Sequence, residues 1–352
     1  VFSGVKGGSV VNGLRTLGTL PVLDLSRFGA EATHQGDFLA DLRSAAREVG
    51  FFYVTGHGVP AALNAAVLDC ARSLFALPEE QKLAIEMVNS PHFRGYNRAG
   101  FEHTRGRPDW REQIDIGAEE PPVPLDDGAP AYLRLKGPNQ WPATLPDFKP
   151  VVLEWQEQVT ALLVRLLRAS ALALEQGPDV FAPIYDGSPH QLLKLIRYPG
   201  RPQEDAEQGV GAHKDSGLLS LILQDGHGGL QVEAPDGRWI DAAPRHDAFV
   251  VNIGELLELA SDGYLKAAVH RVVSPPAGAE RCSAAFFLGA RLDATVPALQ
   301  LPPHLAAEAP GFARDPLNPL FHQVGQNTLK SRLRSHPDVA ARHHADLLTQ
   351  SS

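Results

Sequence analysis

At 352 residues, 43% of them hydrophobic, the chain can bury one large core or two small ones. A formal charge of −9 and a pI near 5.9 argue against a nucleic-acid or anionic-membrane surface as partner. Apolar runs stay well short of the roughly 18 residues a spanning helix needs, and even the stretch 161–168 is interrupted by arginines.

Residues 1–8 lack the apolar stretch of a secretory leader, and the missing Met reads as a trimmed start. Cys70 and Cys282, far apart in sequence, fit a reduced cytoplasm better than a disulfide framework. The first half leans towards helix. Residues 20–25 read as a short strand, 37–49 as a helix ended by Gly50, and 51–55 as a strand stopping at Gly56-His57-Gly58. A helix over 61–75 follows, and Pro78-Glu-Glu opens another with proline in its first turn. The Gly- and Pro-rich stretch 91–145 reads as irregular, and 150–174 as a long amphipathic helix.

The second half reads as short strands separated by turns: 192–198, 218–224, 229–233, 238–240, 248–253, 268–273 and 281–289. Pro235-Asp-Gly237 is a hairpin signal between the third and fourth. Such a series predicts an antiparallel jelly roll.

Within it lie His213-Lys-Asp215, His270 and Arg281-Cys-Ser283. Two imidazoles and a carboxylate are the ligand set that holds non-haem Fe(II) on one face and leaves other positions open. The chain has 14 histidines, and His-x-Asp recurs at His336-Pro-Asp338 and His344-Ala-Asp346. Those two sit on helix-like sequence, where i and i+2 point apart, and read as a solvated helix face. His213 and Asp215 precede a β-like run, where i and i+2 share a face. Arg281 and Ser283 share a face by the same rule, and guanidinium plus hydroxyl make a carboxylate receptor. The bland readings are a packed core histidine at 270, an internal ion pair of Arg281 with Asp293, and a small buried apolar role for Cys282.

Further motifs extend this pattern over nearly the whole length. They are Leu-Pro-Val-Leu-Asp-Leu at 20–25, Gly-Phe-Phe-Tyr-Val-Thr-Gly-His-Gly-Val-Pro at 50–60 and Leu-Pro-Glu-Glu-Gln-Lys at 77–82. Arg94-Gly-Tyr96, Gly-Pro-Asn-Gln-Trp-Pro at 137–142, Arg197-Tyr-Pro199 and Asn252-Ile-Gly-Glu255 complete the set. Together they resemble the isopenicillin N synthase-like group of Fe(II)- and 2-oxoglutarate-dependent oxygenases, of the bacterial iron/ascorbate oxidoreductase type.

The resemblance implies an α+β fold, a distorted double-stranded β-helix (jelly-roll) core flanked by helices. Residues 1–352 would form a single oxygenase domain. Within it lie a helix-rich region over 15–180, the catalytic core over 185–300 and a helical segment over 301–352. It implies His213, Asp215 and His270 as iron ligands, and Arg281, Ser283 and Tyr198 as the receptor for the far carboxylate of 2-oxoglutarate. Dioxygen would be the second cosubstrate and a small molecule the substrate, with oligomeric state open. Arg94, Tyr96 and Phe286 are candidate substrate contacts; Arg98 shares the loop of the first two. His57, Gly254 and Arg197 read as scaffold, and Asn252 as a residue of local backbone shape. An oxidative cyclase without 2-oxoglutarate, an ethylene-forming enzyme and a non-catalytic metal-binding barrel are the alternatives. The cyclase pattern carries a glutamine near the C-terminus, which Gln350 matches poorly.

Overall fold

A computed structural model describes residues 18–348, apart from 30, 127, 188, 203–207 and 313–318. The sequence start at 1–8 and Gln350 therefore lie outside the described residues. In chain order the strands are β1 (Val22–Asp24), β2 (Phe51–Thr55), β3 (Gly95–Asn97), β4 (His103–Thr104), β5 (Arg107–Pro108), β6 (Glu112–Gly117) and β7 (Gln191–Pro199). There follow β8 (Val210–His213), β9 (Leu219–Gln224), β10 (Leu230–Glu233), β11 (Trp239–Asp241), β12 (Phe249–Ile253), β13 (His270–Val272) and β14 (Glu280–Leu288). The longer helices are α1 (Ala32–Glu48), α2 (Ala61–Phe75), α3 (Phe148–Ala173), α4 (Val324–Ser335) and α5 (Pro337–His343).

Eight strands form a major sheet in the order β1-β2-β12-β9-β14-β7-β6-β3, and four form a minor sheet, β11-β10-β13-β8. Only β1 and β2 pair in parallel within the major sheet. The central strands are apolar on both faces because both are covered. Phe52, Val54, Leu221, Val251 and Phe286 join the core beneath α1, α2 and α3, while Phe51, Tyr53, Ile222, Val250 and Ala285 face the minor sheet. This explains the unbroken apolar run Phe-Phe-Tyr-Val of β2, where a half-solvated strand would alternate. The expected jelly roll with flanking helices is present, and the Pro235-Asp-Gly237 turn joins β10 to β11 as the dipeptide predicts.

Trp155 of α3 holds the helical layer to the sheet. It is fully buried, its ring meets Phe249 and Phe286 edge-on at 6.4 and 6.3 Å, and its indole N–H donates to Asn64 Oδ1 of α2 at 2.8 Å.

Three expectations need correction. The stretch 91–145 is not merely irregular, because β6 lies within it and pairs with β7 along six positions. Its central pair, Ile114 and Ile116, is buried under the helices, while Gln113 and Asp115 turn inward; the alternation is hidden because the inward partners are polar. Tyr96 and Phe286 do not face the barrel interior. Both lie in the helix-side core, where Tyr96 donates its hydroxyl to Glu112 Oε2 at 2.6 Å beneath the Lys82 ammonium. Strand parity puts Phe287, not Phe286, against the inner core. Replacing Phe286 by Ala is expected to cost about 3–5 kcal/mol in urea unfolding, as for a large core aromatic. A loss below about 1 kcal/mol would remove it from the core.

Candidate functional site

The inner space between the two sheets collects the remaining polar groups. Antiparallel pairing of β13 with β8 sets His270 opposite His213, with a register irregularity on the far side of that pair. The two rings lie 4.3 Å apart. Both Nε2 atoms close on one carboxylate oxygen, His213 at 3.5 Å and His270 at 3.6 Å from Asp215 Oδ1. Their other nitrogens are committed to main-chain carbonyls: His213 Nδ1 donates to Gly211 at 2.8 Å, and His270 Nδ1 to Ala268 at 3.2 Å. That bonding places the proton on Nδ1 and leaves each Nε2 lone pair directed at the common point. Among the described residues this is the one group of His, Cys, Asp or Glu side chains arranged to share a metal ion.

Asp215 is positioned twice. Asn252 Nδ2 donates to its Oδ2 at 2.8 Å, and its backbone carbonyl accepts from Glu255 N–H at 2.8 Å. The second bond needs a close crossing, since a Cβ at Gly254 would lie 2.1 Å from Gly217 O. Burial alone would push the Asp215 carboxyl up. The imidazoles of His270 and His213 and the Asn252 amide outweigh it and hold the group well below the usual carboxylate range. Burial holds His270 down, to about 4. Burial would lower His213 as well, but its hydrogen bond and attraction to Asp215 outweigh it and raise that imidazole. The set offers two imidazole Nε2 atoms and one ionised carboxylate, a donor set that suits a divalent first-row metal.

On the facing wall, Arg281 of β14 lies cross-strand from Tyr198 of β7, its guanidinium 5.0 Å from the ring centre. It donates to Ser283 Oγ at 3.2 Å and Gln224 Oε1 at 3.1 Å, while its Nε has no partner among the described residues. The side chain is 1% exposed and meets no carboxylate among the described residues. Asp293 is not its partner, because it pairs with Arg291 at 3.1 Å. A buried guanidinium without a counter-ion is costly on its own, and an incoming anion would offset that cost. Tyr198 lies within electrostatic reach of Arg111, and its phenol can both accept and donate. Cys282 is buried, and burial raises its thiol to about 11, as an inert packed sulfur.

The other landmarks fall outside this centre. His57 accepts from Val59 N–H at 3.1 Å and packs on Phe249. Arg197 turns outward to Glu112 and the Phe75 ring. Arg98 pairs with Glu86 at 2.8 Å. Arg94 is not part of a solvated loop: it is 1% exposed, its guanidinium occupies the space a Gly117 side chain would take, and it donates to the carbonyls of His92 and Leu135 at 2.8 and 3.1 Å.

Two sites were missed from sequence. Asn252 reads as a backbone-shaping residue, yet it grips the carboxylate of Asp215; its position one strand residue before the Ile-Gly turn was the available signal. The two control histidines are not on a solvated face. His344 stacks on Phe93 at 5.1 Å and an interplanar angle of 4°, with Nε2 2.9 Å from Pro91 O. His336 is 1% exposed, with Nε2 3.3 Å from Arg332 Nη1 and Nδ1 3.4 Å from Asn97 Nδ2. Helical parity separates each from its Asp as expected, but the tertiary fold turns the imidazoles inward.

Burial depresses His336 to about 4, against 6.5 for a free imidazole. On acidification the unfolded chain therefore takes up the proton first, so the stability this group supplies above pH 6.5 is lost as pH falls towards 4. Urea midpoints measured from pH 7 to pH 4 should fall across that window, and His336→Gln should flatten the slope. An unchanged slope in the variant would show that His336 titrates freely.

Comparisons with known proteins bear on this geometry. Residues 20–144 match the N-terminal region described as non-haem dioxygenase in morphine synthesis, and residues 189–290 match the 2OG-Fe(II) oxygenase superfamily. The 2-oxoglutarate-dependent dioxygenase frbJ of Dothideomycetidae sp. is 38% identical, over 91% of this chain and 90% of its own. Homoarginine-6-hydroxylase 2-ODD-C23.1 of Arabidopsis thaliana is 36% identical, over 80% and 88%. Among solved structures, a full-length Neurospora crassa protein in complex with alpha-KG and thymine superposes with a TM-score of 0.72 at 27% identity, covering 93% of this chain and 98% of that one.

Proposed function

The chain belongs to the 2-oxoglutarate- and Fe(II)-dependent dioxygenases, and on that footing we propose that His213, Asp215 and His270 hold the iron while Arg281, Ser283 and Tyr198 hold the far carboxylate of 2-oxoglutarate. The observation that carries this reading is the convergence of two Nε2 lone pairs on Asp215 Oδ1, facing a buried guanidinium with no counter-ion. With Fe(II) bound, the family's chemistry couples oxidative decarboxylation of 2-oxoglutarate by dioxygen, giving succinate and CO2, to oxidation of a small-molecule substrate.

The chain's own residues do the positioning. Gly211 and Ala268 carbonyls hold the imidazole tautomers, and Asn252 holds the carboxylate rotamer. Arg281 supplies two-pronged donation to one end of the cosubstrate, Ser283 a third hydrogen bond and Tyr198 a fourth, leaving the 2-oxo acid end directed at the metal. The apolar inner residues Val210, Leu230, Val232 and Val272 exclude water around it. The substrate is a small molecule, as in the thymine complex of the solved relative. An oxidative cyclase would use the same Arg/Ser pair for its substrate's carboxylate; the 2-oxoglutarate-dependent relatives at 36–38% identity favour the cosubstrate reading.

Iron-loaded protein in air should convert 2-oxoglutarate to succinate, followed by chromatography, and His270→Ala should abolish conversion while keeping the native circular dichroism. Retained turnover in that variant would remove His270 from the metal. Asn252→Leu should lower Fe(II) affinity by about 10–100-fold, as loss of a ligand-orienting hydrogen bond does. Unchanged affinity would make Asn252 a scaffold residue only.

A further inference from the structure

The inner wall carries another arginine with one buried nitrogen unpartnered among the described residues, Arg332, on the opposite flank from Arg281. Register places Asp115 of β6 beside Lys194 of β7 and Ala285 of β14, all turned inward. The next row runs Gln113, Ile196, Ser283 and Gln224, so Gln113 shares a row with the cosubstrate receptor. Gln113 stands two strands from Ser283, a separation of about 10 Å. Arg332 reaches into this place from α4 and donates through Nη1 to Asp115 Oδ2 at 2.7 Å.

The carboxylates here are saturated. Asp115 takes Arg332, Lys194 at 3.3 Å and Gln113 Nε2 at 2.6 Å. Glu102 takes Lys194 at 2.8 Å and Arg111 at 2.8 Å. The cations are not saturated. Arg332 Nη2 is buried with no partner among the described residues, and so is Gln113 Oε1, whose amide is turned by its bond to Asp115. Arg94 lies within electrostatic reach of Arg332 and has carbonyls as its only hydrogen-bond partners. Arg332 is ion-paired through Nη1, so what stays open among the described residues is its second prong, Nη2, together with Gln113 Oε1.

Resting on the oxygenase reading above, we propose that Arg332 Nη2 receives the carboxylate of the primary substrate, with Gln113 Oε1 accepting from a donor beside it. The class is a small carboxylic acid bearing an N–H or O–H group next to the carboxylate, of which α-amino and 2-hydroxy acids are the simplest members. Arg332 meets Asp115, itself paired with Lys194, on the inward row next to that of Gln113, Ile196 and Ser283, so the acid would lie in the same inner space as the cosubstrate receptor. A purely structural salt-bridge cluster is the competing account, and it predicts no preference for acids.

The test uses the full chain loaded with Fe(II) and 2-oxoglutarate, first checked for the metal-to-2-oxo-acid charge-transfer band. Succinate release is then measured with L-amino acids and 2-hydroxy acids, with the methyl ester of each, and with neutral pyrimidine bases. Acids should stimulate release and their esters fail. Arg332→Lys, which keeps the Asp115 ion pair but loses the second prong, should raise the KM of a stimulating acid about 30-fold or more. Its kcat and the KM for 2-oxoglutarate should stay within about twofold. Stimulation by the pyrimidines or esters, by none of the acids, or an unchanged acid KM in Arg332→Lys overturns the proposal. Absence of the band at the first step would overturn the oxygenase reading instead.

Discussion

The register of β13 against β8 is the constraint on which the rest depends. His270 stands opposite His213 because of it, and Asp215 follows the end of β8 where its carboxylate meets both rings. A slip of one residue would turn an imidazole to the other face of the minor sheet and dissolve the site. The register is guarded by burial. Val210 and Val272 fill the inner core from the same two strands, against Leu230 and Val232 of the neighbouring β10, so a slip would also expose them. Stability and ligand geometry are thus enforced by one alternation.

The interior this produces is apolar at the centre and charged at its walls. Buried charges are expensive unless paired, and most here are paired: Glu102, Asp109 and Asp115 each accept several donors. Several buried guanidinium nitrogens find no partner among the described residues, Nε of Arg281 and Nη2 of Arg332 among them. An incoming anion would offset the desolvation of such a prong. Asp215 is the opposite case, a carboxylate kept ionised by the groups that also orient it.

The His213/Asp215 and Arg281/Ser283 pairs were legible in the sequence because each depends on short spacing within or beside a strand, where parity is two and needs no tertiary information; that His270 joins the first pair is a matter of register. Helix limits were legible too; residues 61–75 coincide with α2. What was not legible has a common cause. β6 was hidden because its inward residues, Gln113 and Asp115, are polar and paired across the fold, which erases the apolar alternation. Phe286 and Phe287 are both apolar, and only the register shows which one faces inward. His336 lies on polar helical sequence and becomes buried only when α5 docks beside Asn97. The role of Asn252 depends on β12 ending next to Asp215, a contact between residues 37 positions apart.

Iron and 2-oxoglutarate must share one site if these walls do what their charges suggest. Anaerobic titration of the Fe(II)-loaded protein with 2-oxoglutarate, read in the visible spectrum, tests it most directly. A charge-transfer band should grow to saturation, and Arg281→Ala should need far more 2-oxoglutarate to reach the same band. Pyruvate, which lacks the far carboxylate, should bind the two proteins alike. No band with iron present, or an Arg281→Ala curve that overlays the native one, would contradict the shared site.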